Sequence, residues 1–165
     1  MSDELTALAT RIGAVLTARH QTLAVAETSA GGTLCQAITS VPGSSAWFVA
    51  GVVVYSLQSR ALLLDLGGPR PTGAVSAEHA VALASRVRRR LEADWGVAET
   101  GVAGPTTGRR SAKEPGTGYV AVIGRRDGED VVLWRETSAP GADRVAHQRA
   151  FAHAALGLLA DALQV

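Results

Sequence analysis

The feature that most constrains the fold is a pair of strand-like segments joined by Asp127-Gly128. Gly118–Arg125 and Asp130–Thr137 are rich in valine and other residues that favour strands. Asp-Gly is typical of a two-residue type I′ hairpin turn, and counting outward from it sets Val122 opposite Leu133. A turn this tight joins only antiparallel strands. Any sheet that this chain builds therefore contains at least one antiparallel pair.

The remainder of the chain alternates helical and strand-like patterns. Apolar residues recur at helical spacing in four segments, and three short apolar runs between them have strand character. The pattern predicts helices over 4–19, over 59–66, from a Ser76 cap onward and from Asp143 to 163, and strands over 22–26, 47–54 and 95–100. Such alternation predicts a single α/β domain over residues 1–165, a three-layer α/β/α sandwich with a mixed sheet.

Composition excludes several classes of protein. The 165 residues carry 16 basic and 15 acidic side chains, a net charge of +1, which argues against a nonspecific nucleic-acid binder. Cys35 is the single cysteine, and the four histidines form no HExxH motif, so no metal site and no cofactor are expected. No leader-like segment and no run of 18 apolar residues are present, so we expect a cytoplasmic protein without a membrane partner.

Two polar junctions follow predicted strands. The first is Glu27-Thr28-Ser29-Ala30-Gly31-Gly32, and the second is Thr100-Gly101-Val102-Ala103-Gly104-Pro105. The first opens a helix-like stretch that runs to about Ser40, and a glycine- and hydroxyl-rich turn at a helix N-terminus presents unpaired N–H groups, which suit an anion. The alternative is a tight turn without a ligand. Nucleophile-elbow, P-loop and dinucleotide-binding fingerprints are absent from the sequence.

A third stretch, Gly43–Arg60, combines chemically useful residues. Ser44 and Ser45 precede the apolar run 47–54, interpreted as a buried strand, and Tyr55 and Arg60 follow it. A serine becomes nucleophilic when a neighbouring group accepts its proton, which a tyrosine or lysine can do. This interpretation requires Ser45, Tyr55 and Arg60 to converge. The alternatives are that the serines only form a turn and that the tyrosine only ends a strand.

Four segments in this order carry a family resemblance. AETSAGG (26–32), GSSAWFVAGVVVYS (43–56), GAVS (73–76) and TGVAGP (100–105), followed by GADRVAHQR (141–149), resemble the CinA C-terminal domain family, the nicotinamide-nucleotide amidohydrolases. The resemblance covers nearly the whole chain. It implies an α/β/α fold, a homo-oligomer, most simply a dimer, and a small nucleotide as substrate. The implied reaction converts nicotinamide mononucleotide to nicotinate mononucleotide and ammonia without a metal.

Site residues carry over by position in these motifs. The resemblance implies that Ser45 is the nucleophile and that Tyr55 assists it. It implies that Arg144 binds the substrate phosphate, for which a guanidinium is well shaped. The remaining positions that the resemblance assigns to the pocket are Glu27, Gly31, Gly32, Thr100 and Gly101.

The sequence departs from the motifs at three positions. Members of the family read AESxTGG and carry a lysine five residues after the tyrosine, whereas this chain has Thr28, Ala30 and Arg60 there. Arginine cannot accept the serine proton, because its pKa lies above about 12. Either Tyr55 accepts that proton with Arg60 beside it as a positive charge, or the domain binds a nucleotide without turnover. Lys113, the only lysine, lies in the loop 105–117 and replaces the missing amine only if that loop closes over the site.

Overall fold

A computed structural model describes residues 2–69, 72–107, 111–141 and 143–165. These residues form five helices and five strands, and none of the described helices is long and apolar enough to cross a membrane. The elements are α1 (Ser2–Ala18), β1 (Leu23–Glu27), α2 (Thr33–Thr39), β2 (Phe48–Val53), α3 (Leu57–Leu64), α4 (Ala77–Arg90), β3 (Trp95–Gly101), β4 (Thr117–Arg126), β5 (Glu129–Ser138) and α5 (Arg144–Leu163). Residues 44–46 form one 3₁₀ turn before β2.

The five strands make one mixed sheet in the order β2-β1-β3-β4-β5. β1 lies between β2 and β3 and runs parallel to both, while β4 pairs antiparallel with β3 and with β5. The hairpin has the predicted register, with Val122 opposite Leu133. Asp127 and Gly128 both have positive φ, as a type I′ turn requires. The predicted mixed sheet is confirmed.

Helices cover both faces of the sheet. Leu23 and Val25 of β1 point into a core shared with α1, α2 and α5, whereas Ala24 and Ala26 point into a second core shared with α3 and α4. Successive side chains of a strand point to opposite faces, so a continuously apolar β1 serves two cores at once. The predicted three-layer α/β/α sandwich is therefore confirmed.

The helix caps agree with the sequence pattern. The Ser76 hydroxyl accepts a hydrogen bond from the His79 N–H at the start of α4, and the Asp143 carboxylate accepts one from the Ala146 N–H at the start of α5. Both side chains satisfy backbone donors that have no partner within the helix. Ser76 and Asp143 also fix where the loops that reach the site end and the helices begin.

Two expectations about burial are wrong. β2 is an edge strand, and Val49, Gly51 and Val53 are exposed along it. An uninterrupted apolar run is typical of a strand enclosed on all sides, but β2 has a neighbouring strand on one side only. The helical spacing of apolar residues in 143–163 also predicts that Val145 lies on the buried side of α5 with Ala152 and Ala155, but Val145 is exposed and His147, two residues later, faces inward.

Candidate active site

A cleft of about 440 Å³ opens at the carboxyl ends of the three parallel strands. The chain leaves β1 toward β2 on one side and returns to β3 on the other, so the strand order reverses between β1 and β3. Open α/β sheets bind ligands at such a reversal, because neighbouring loops diverge there. The lining residues come from both polar junctions and from the loops around them: Thr28, Ser29, Tyr55, Leu57, Arg60, Ala74, Val75, Thr100, Gly101, Val102, Ala103, Gly104, Thr106, Thr107, Ser111 and Arg144.

Tyr55 and Arg144 form a pair at the mouth of the cleft. The Arg144 Nη2 donates to the Tyr55 hydroxyl oxygen at 3.0 Å, and its Nη1 donates to the Gly104 carbonyl at 2.6 Å. Both side chains are exposed, and the two residues are 89 positions apart in the sequence. The guanidinium carries five N–H donors, so these two hydrogen bonds leave others to meet a ligand. The pair joins a positive charge and a phenol that a ligand in the cleft would meet together.

Arg60 lies deeper and contacts different groups from those expected. Its side chain is buried, its Nε donates to the Val54 carbonyl at 3.0 Å, and its Nη1 donates to His79 Nε2 at 2.9 Å. An arginine has only donors, so His79 accepts at Nε2. Arg144 is the cation that contacts the Tyr55 hydroxyl. The expectation that Arg60 lies beside Tyr55 as its positive charge is therefore corrected.

His79 is a residue that the sequence reading missed. It is buried on α4 next to Arg60, and its position follows from the Ser76 cap, which sets residue 79 in the first turn of the helix. The four histidines form no metal-binding motif, and that pattern alone gives no role for His79. The useful signal was different: a histidine three residues after a helix cap, on the apolar stripe that includes Ala80 and Leu83.

Three of the hydroxyls in the cleft wall are occupied as donors. Thr100 Oγ1 donates to the Ala74 carbonyl at 2.6 Å, Thr28 Oγ1 donates to the Glu99 carbonyl at 3.2 Å, and Ser29 Oγ donates to the Gly101 carbonyl. A backbone carbonyl accepts a hydrogen bond but does not remove the proton, so a hydroxyl that donates to one is not activated as a nucleophile. Thr28, Ser29 and Thr100 therefore shape the wall and tie β1, β3 and the loop before α4 together.

The first polar junction differs from an open anion site. Glu27 is fully buried, and its carboxylate accepts hydrogen bonds from the N–H groups of Gly32 at 2.9 Å, Leu34 at 3.1 Å and Cys35 at 2.8 Å. The chain's own carboxylate thus occupies the positive end of α2. Glu27, Gly31 and Gly32, expected in the pocket wall, do not line the cleft.

The buried Glu27 carboxylate also affects the thiol of Cys35. Burial raises the pKa of the Cys35 thiol, and the neighbouring Glu27 carboxylate raises it further. The thiol therefore stays neutral at physiological pH and acts as an apolar side chain, with Sγ directly against the backbone of Gly51.

Glu99 is a second buried carboxyl beneath the cleft. Its Oε1 accepts from the N–H groups of Thr28 and Ala30, and its Oε2 has no hydrogen-bond partner. Burial raises the pKa of Glu99 to about 7, the charge of Glu27 raises it, and both backbone hydrogen bonds and the charge of Arg60 lower it. Burial dominates because the charged form loses its hydration. Glu99 holds the β1 turn in place from below.

Ser45 lies far from these residues within one chain. It belongs to the 3₁₀ turn before β2, whereas Tyr55 follows the end of β2, and six strand residues at about 3.3 Å each separate the two ends by roughly 20 Å. Ser45 is exposed and does not line the cleft. The expectation that Ser45, Tyr55 and Arg60 converge inside a single chain is wrong, because a straight strand holds its two ends apart.

Lys113 contacts the β4–β5 hairpin. Lys113 Nζ donates to the Tyr119 hydroxyl at 3.0 Å, and that hydroxyl donates to Glu136 Oε2 at 3.0 Å, so the lysine is held against the hairpin. The hydrogen bond to Tyr119 raises the pKa of Lys113, which keeps the amine charged.

Over 2–69, 72–107, 111–141 and 143–165, no three His, Cys, Asp or Glu side chains are grouped to hold a metal ion.

Comparison with known proteins places the chain in a family. The sequence model of the CinA C-terminal domain matches residues 5–163. A CinA-like protein of Synechococcus sp. is 44% identical over 119 residues, which cover 71% of this chain and 28% of that protein. A CinA-like protein of Cyanothece sp. is 44% identical over 125 residues, which cover 74% of this chain and 29% of that protein. The chain thus matches under a third of the length of these relatives.

Solved structures extend the likeness to the whole fold. The competence/damage inducible protein CihA of Agrobacterium tumefaciens is 32% identical with a TM-score of 0.87, covering 98% of this chain and 96% of that one. A CinA superfamily protein of Klebsiella pneumoniae is 25% identical with a TM-score of 0.85, covering 97% and 98%. The family model covers nearly the whole chain and the solved structures share its fold, so the chain belongs to the CinA C-terminal domain family.

Proposed function

We propose that this domain is an amidohydrolase that converts nicotinamide mononucleotide to nicotinate mononucleotide and ammonia. The observation that carries the proposal is the Tyr55–Arg144 pair at the mouth of a cleft large enough for a mononucleotide. The family resemblance supplies the reaction and the substrate. The cleft supplies a phenol, a guanidinium and a polar floor at the point where the parallel strands end.

Each step of this reaction has a candidate residue. A Ser45 oxygen attacks the carboxamide carbon; because one chain holds its own Ser45 roughly 20 Å from Tyr55, this serine comes from a second copy of the chain. Its proton passes to the Tyr55 oxygen and then to the nitrogen, and the C–N bond breaks as ammonia leaves. Water then attacks the resulting ester and releases the carboxylate and the serine. Arg144 binds the phosphate through its remaining N–H donors, since a guanidinium recognises phosphate in a fixed planar geometry. Thr100 and Gly101 line the floor against which the base lies.

The measurement is ammonia release from nicotinamide mononucleotide by the purified protein, with Ser45→Ala and Tyr55→Phe as the informative variants. We expect release by the wild type and a loss of at least about a hundredfold in kcat for Ser45→Ala, because the nucleophile is removed. Heat-inactivated protein provides the background. Wild-type release no greater than that background would refute the amidohydrolase.

A second candidate has its own observation. Arg60 stands where the family has lysine, and its guanidinium is buried and bonded to Val54 and His79. A residue in that environment acts as a structural support and cannot exchange a proton. The alternative function is therefore a nucleotide-binding domain without turnover. It predicts that nicotinamide mononucleotide raises the melting temperature while no ammonia appears.

Arg60→Lys separates the two candidates. If the arginine has silenced the site, the lysine variant gains ammonia release that the wild type lacks; if Tyr55 suffices, the wild type is active and the variant changes little. Arg135→Lys is the matched control, because Arg135 is exposed and pairs with Asp161 on the surface. A nucleotide that neither shifts the melting temperature nor is hydrolysed would remove both candidates.

A further inference from the structure

His147 is a buried histidine near the start of α5 that the proposed reaction does not use. It is 2% exposed and does not line the cleft. Its Nδ1 lies 2.9 Å from the Ala103 carbonyl oxygen, and its Nε2 lies 2.8 Å from the Ala139 carbonyl oxygen. Ala103 follows β3 and lines the cleft, whereas Ala139 follows β5 and leads toward α5. One ring therefore joins two loops.

Both of these contacts require the ring to donate. A carbonyl oxygen carries no hydrogen, so the hydrogen of each bond has to come from the imidazole. A neutral imidazole has one N–H in either tautomer, and its bare nitrogen would place a lone pair against a carbonyl lone pair at 2.8 or 2.9 Å. The imidazolium has two N–H groups and satisfies both contacts. Because a buried polar group without a partner is costly, this geometry favours the charged ring.

Packing holds the ring between the two carbonyls. Phe151, one turn further along α5, stacks on it with 6.4 Å between the ring centroids and 18° between the planes. Gly116 has a φ of +90°, and a Cβ there would lie 2.8 Å from His147 Nε2 and 2.6 Å from the Ala139 oxygen. Glycine at this position therefore leaves the space in which Nε2 meets its carbonyl.

Charged side chains surround the ring without pairing with it. Within the described residues, His147 forms no ion pair. The charged groups on the elements around it are Asp143, Arg144, Lys113, Glu114, Glu136, Glu27 and Glu99. Asp143 favours an imidazolium, whereas Arg144 and the positive end of α5 oppose one. Lys113 and Glu136 both contact the Tyr119 hydroxyl instead, so the two carbonyls are the direct polar contacts of the ring.

His147 and Arg144 lie one turn apart and grip consecutive residues of one loop. His147 contacts the Ala103 carbonyl, and Arg144 Nη1 donates to the Gly104 carbonyl. On the other side of the ring, Ala139 begins the segment that ends where α5, and with it Arg144, begins. Release of either carbonyl therefore changes where the guanidinium stands relative to its anchor.

We propose that His147 is a positioning residue that, as an imidazolium, ties the two loops together and thereby places Arg144 at the cleft mouth. Loss of one ring proton opens one of the two contacts, and the guanidinium then meets an anion less well. For the nucleotide this inference rests on the proposed function; the bridge between the two loops does not depend on it. His147 acts on a ligand only through Arg144, because it does not line the cleft itself.

The bridge is tested first without a ligand. Heteronuclear NMR of the imidazole rings distinguishes a nitrogen that carries hydrogen from one that does not. At about pH 6 we expect two slowly exchanging ring N–H protons on His147, because both are buried and bonded, and none on the exposed His153. The signals that disappear in His147→Asn give the assignment. A bare nitrogen on His147 at this pH would overturn the proposal.

Asparagine and glutamine each replace one half of the ring. His147→Asn sets an amide N–H where Nδ1 stood and can keep the Ala103 contact, whereas His147→Gln reaches the position of Nε2 and can keep the Ala139 contact. Neither amide titrates. His153→Asn is the matched control, since His153 lies on the same helix, is exposed and pairs with Glu4.

Calorimetric titration with nicotinamide mononucleotide measures the effect on Arg144. The ratio of wild-type to variant affinity is compared at each pH, because the ligand phosphate titrates equally with both proteins. For both His147 variants the ratio should be about three- to tenfold where NMR shows two ring protons, and it should approach one where NMR shows a single proton. The ratio for His153→Asn should stay at one. A ratio that does not follow the doubly protonated fraction would show that His147 does not position the guanidinium.

Amide exchange reports on the same loops when no nucleotide is present. The Gly116 N–H donates to the Val102 carbonyl at 2.7 Å, and the Ala139 N–H donates to the Gly116 carbonyl at 3.2 Å. We expect the Ala139 amide to exchange about three- to tenfold faster in His147→Asn, and the Gly116 amide to do so in His147→Gln, with the Ile123 amide of the sheet as an unchanged reference.

The exchange result separates the two proposals. Unchanged exchange at both amides would refute the positioning role of His147, whatever the nucleotide does. A wild type that does not bind nicotinamide mononucleotide, but shows both ring protons and the expected exchange in the variants, would refute only the proposed function.

Discussion

At the scale of single residues, Glu99 couples the stability of the fold to pH. Its carboxyl is buried under the β1 turn with a pKa of about 7, above the ordinary value of 4.5. Between these two values the folded protein holds the proton and the unfolded chain has lost it. The free energy of unfolding therefore falls as the pH rises from about 4.5 to 7, and it stays level above that window.

Glu99→Gln should remove this dependence. The amide oxygen still accepts from the Thr28 and Ala30 N–H groups, and no charge is buried at neutral pH. Between pH 4.5 and 7 we expect the unfolding free energy of the wild type to decline by roughly 1–3 kcal/mol more than that of the variant. Urea denaturation across that pH range measures the difference. Glu129→Gln, on the exposed end of β5, serves as the control. An unchanged pH profile for Glu99→Gln would contradict the assignment.

Arg144 is the residue on which anion binding should depend. Its guanidinium is anchored by Gly104 and Tyr55 and stands at the cleft mouth. Arg144→Ala should weaken nicotinamide mononucleotide binding by about 10- to 100-fold, because hydrogen bonds to a charged group contribute about 1.5–3 kcal/mol. Calorimetric titration gives the affinity, and Arg135→Ala, which breaks a surface ion pair, should leave it unchanged. Equal affinities for wild type and Arg144→Ala would remove Arg144 from the binding site.

At the scale of elements, β3 and α4 approach so closely that a methyl group does not fit. A Cβ on Gly96 would lie 2.2 Å from the Ala84 carbonyl oxygen, and that atom belongs to the helix backbone. Gly157 lies within α5 with nothing within 4 Å of such a Cβ. The two glycines therefore respond oppositely to the same substitution.

Gly96→Ala should destabilise the fold by about 1–3 kcal/mol through overpacking. Gly157→Ala should stabilise it by roughly 0.5–1 kcal/mol, since alanine favours the helix and meets no obstacle. Urea denaturation of both variants beside the wild type measures the difference. Two shifts of the same sign would show that the β3–α4 spacing adjusts or that α5 is constrained by another contact.

The elements also show how far sequence reasoning carries. The hairpin register was predictable because a two-residue turn leaves one alignment, and the caps at Ser76 and Asp143 were predictable because both act within four residues. The exposure of β2 was not, since an apolar run looks the same on a central strand and on an edge strand. The His79–Arg60 contact was missed because residues on two different helices meet only in the folded chain.

At the scale of the whole molecule, the strand order decides which motifs form the site. Both polar junctions follow or end parallel strands, so the sheet brings Thr28 and Thr100 together at the carboxyl ends of those strands. Ser45 lies at the amino end of β2, because β2 runs parallel to β1 and the serine precedes it. Part of the set that the family motifs assign to the site lines the cleft, and part does not, because order along a chain does not tell which end of a strand a residue occupies. Lining the cleft are Tyr55, Arg60, Thr100, Gly101 and Arg144, whereas Glu27, Gly31, Gly32 and Ser45 do not line it.

Association should therefore control activity as well as shape. If the partner's Ser45 serves each cleft, kcat per chain falls when the protein is diluted below the dissociation constant of the dimer. Ammonia release measured over a dilution series should drop in parallel with the dimer fraction from analytical ultracentrifugation. Val132→Lys should follow the wild-type curve. Constant activity per chain through dissociation would place the whole catalytic apparatus within one molecule.

The carboxylate of Glu27, which closes the amino end of α2, decides what kind of force can hold a phosphate here. With those backbone donors occupied, the exposed Arg144 guanidinium supplies the attraction for an anion at the cleft mouth. Nucleotide affinity should then decline as ionic strength rises, because mobile ions screen an exposed guanidinium. A cell that concentrates salt would loosen the ligand.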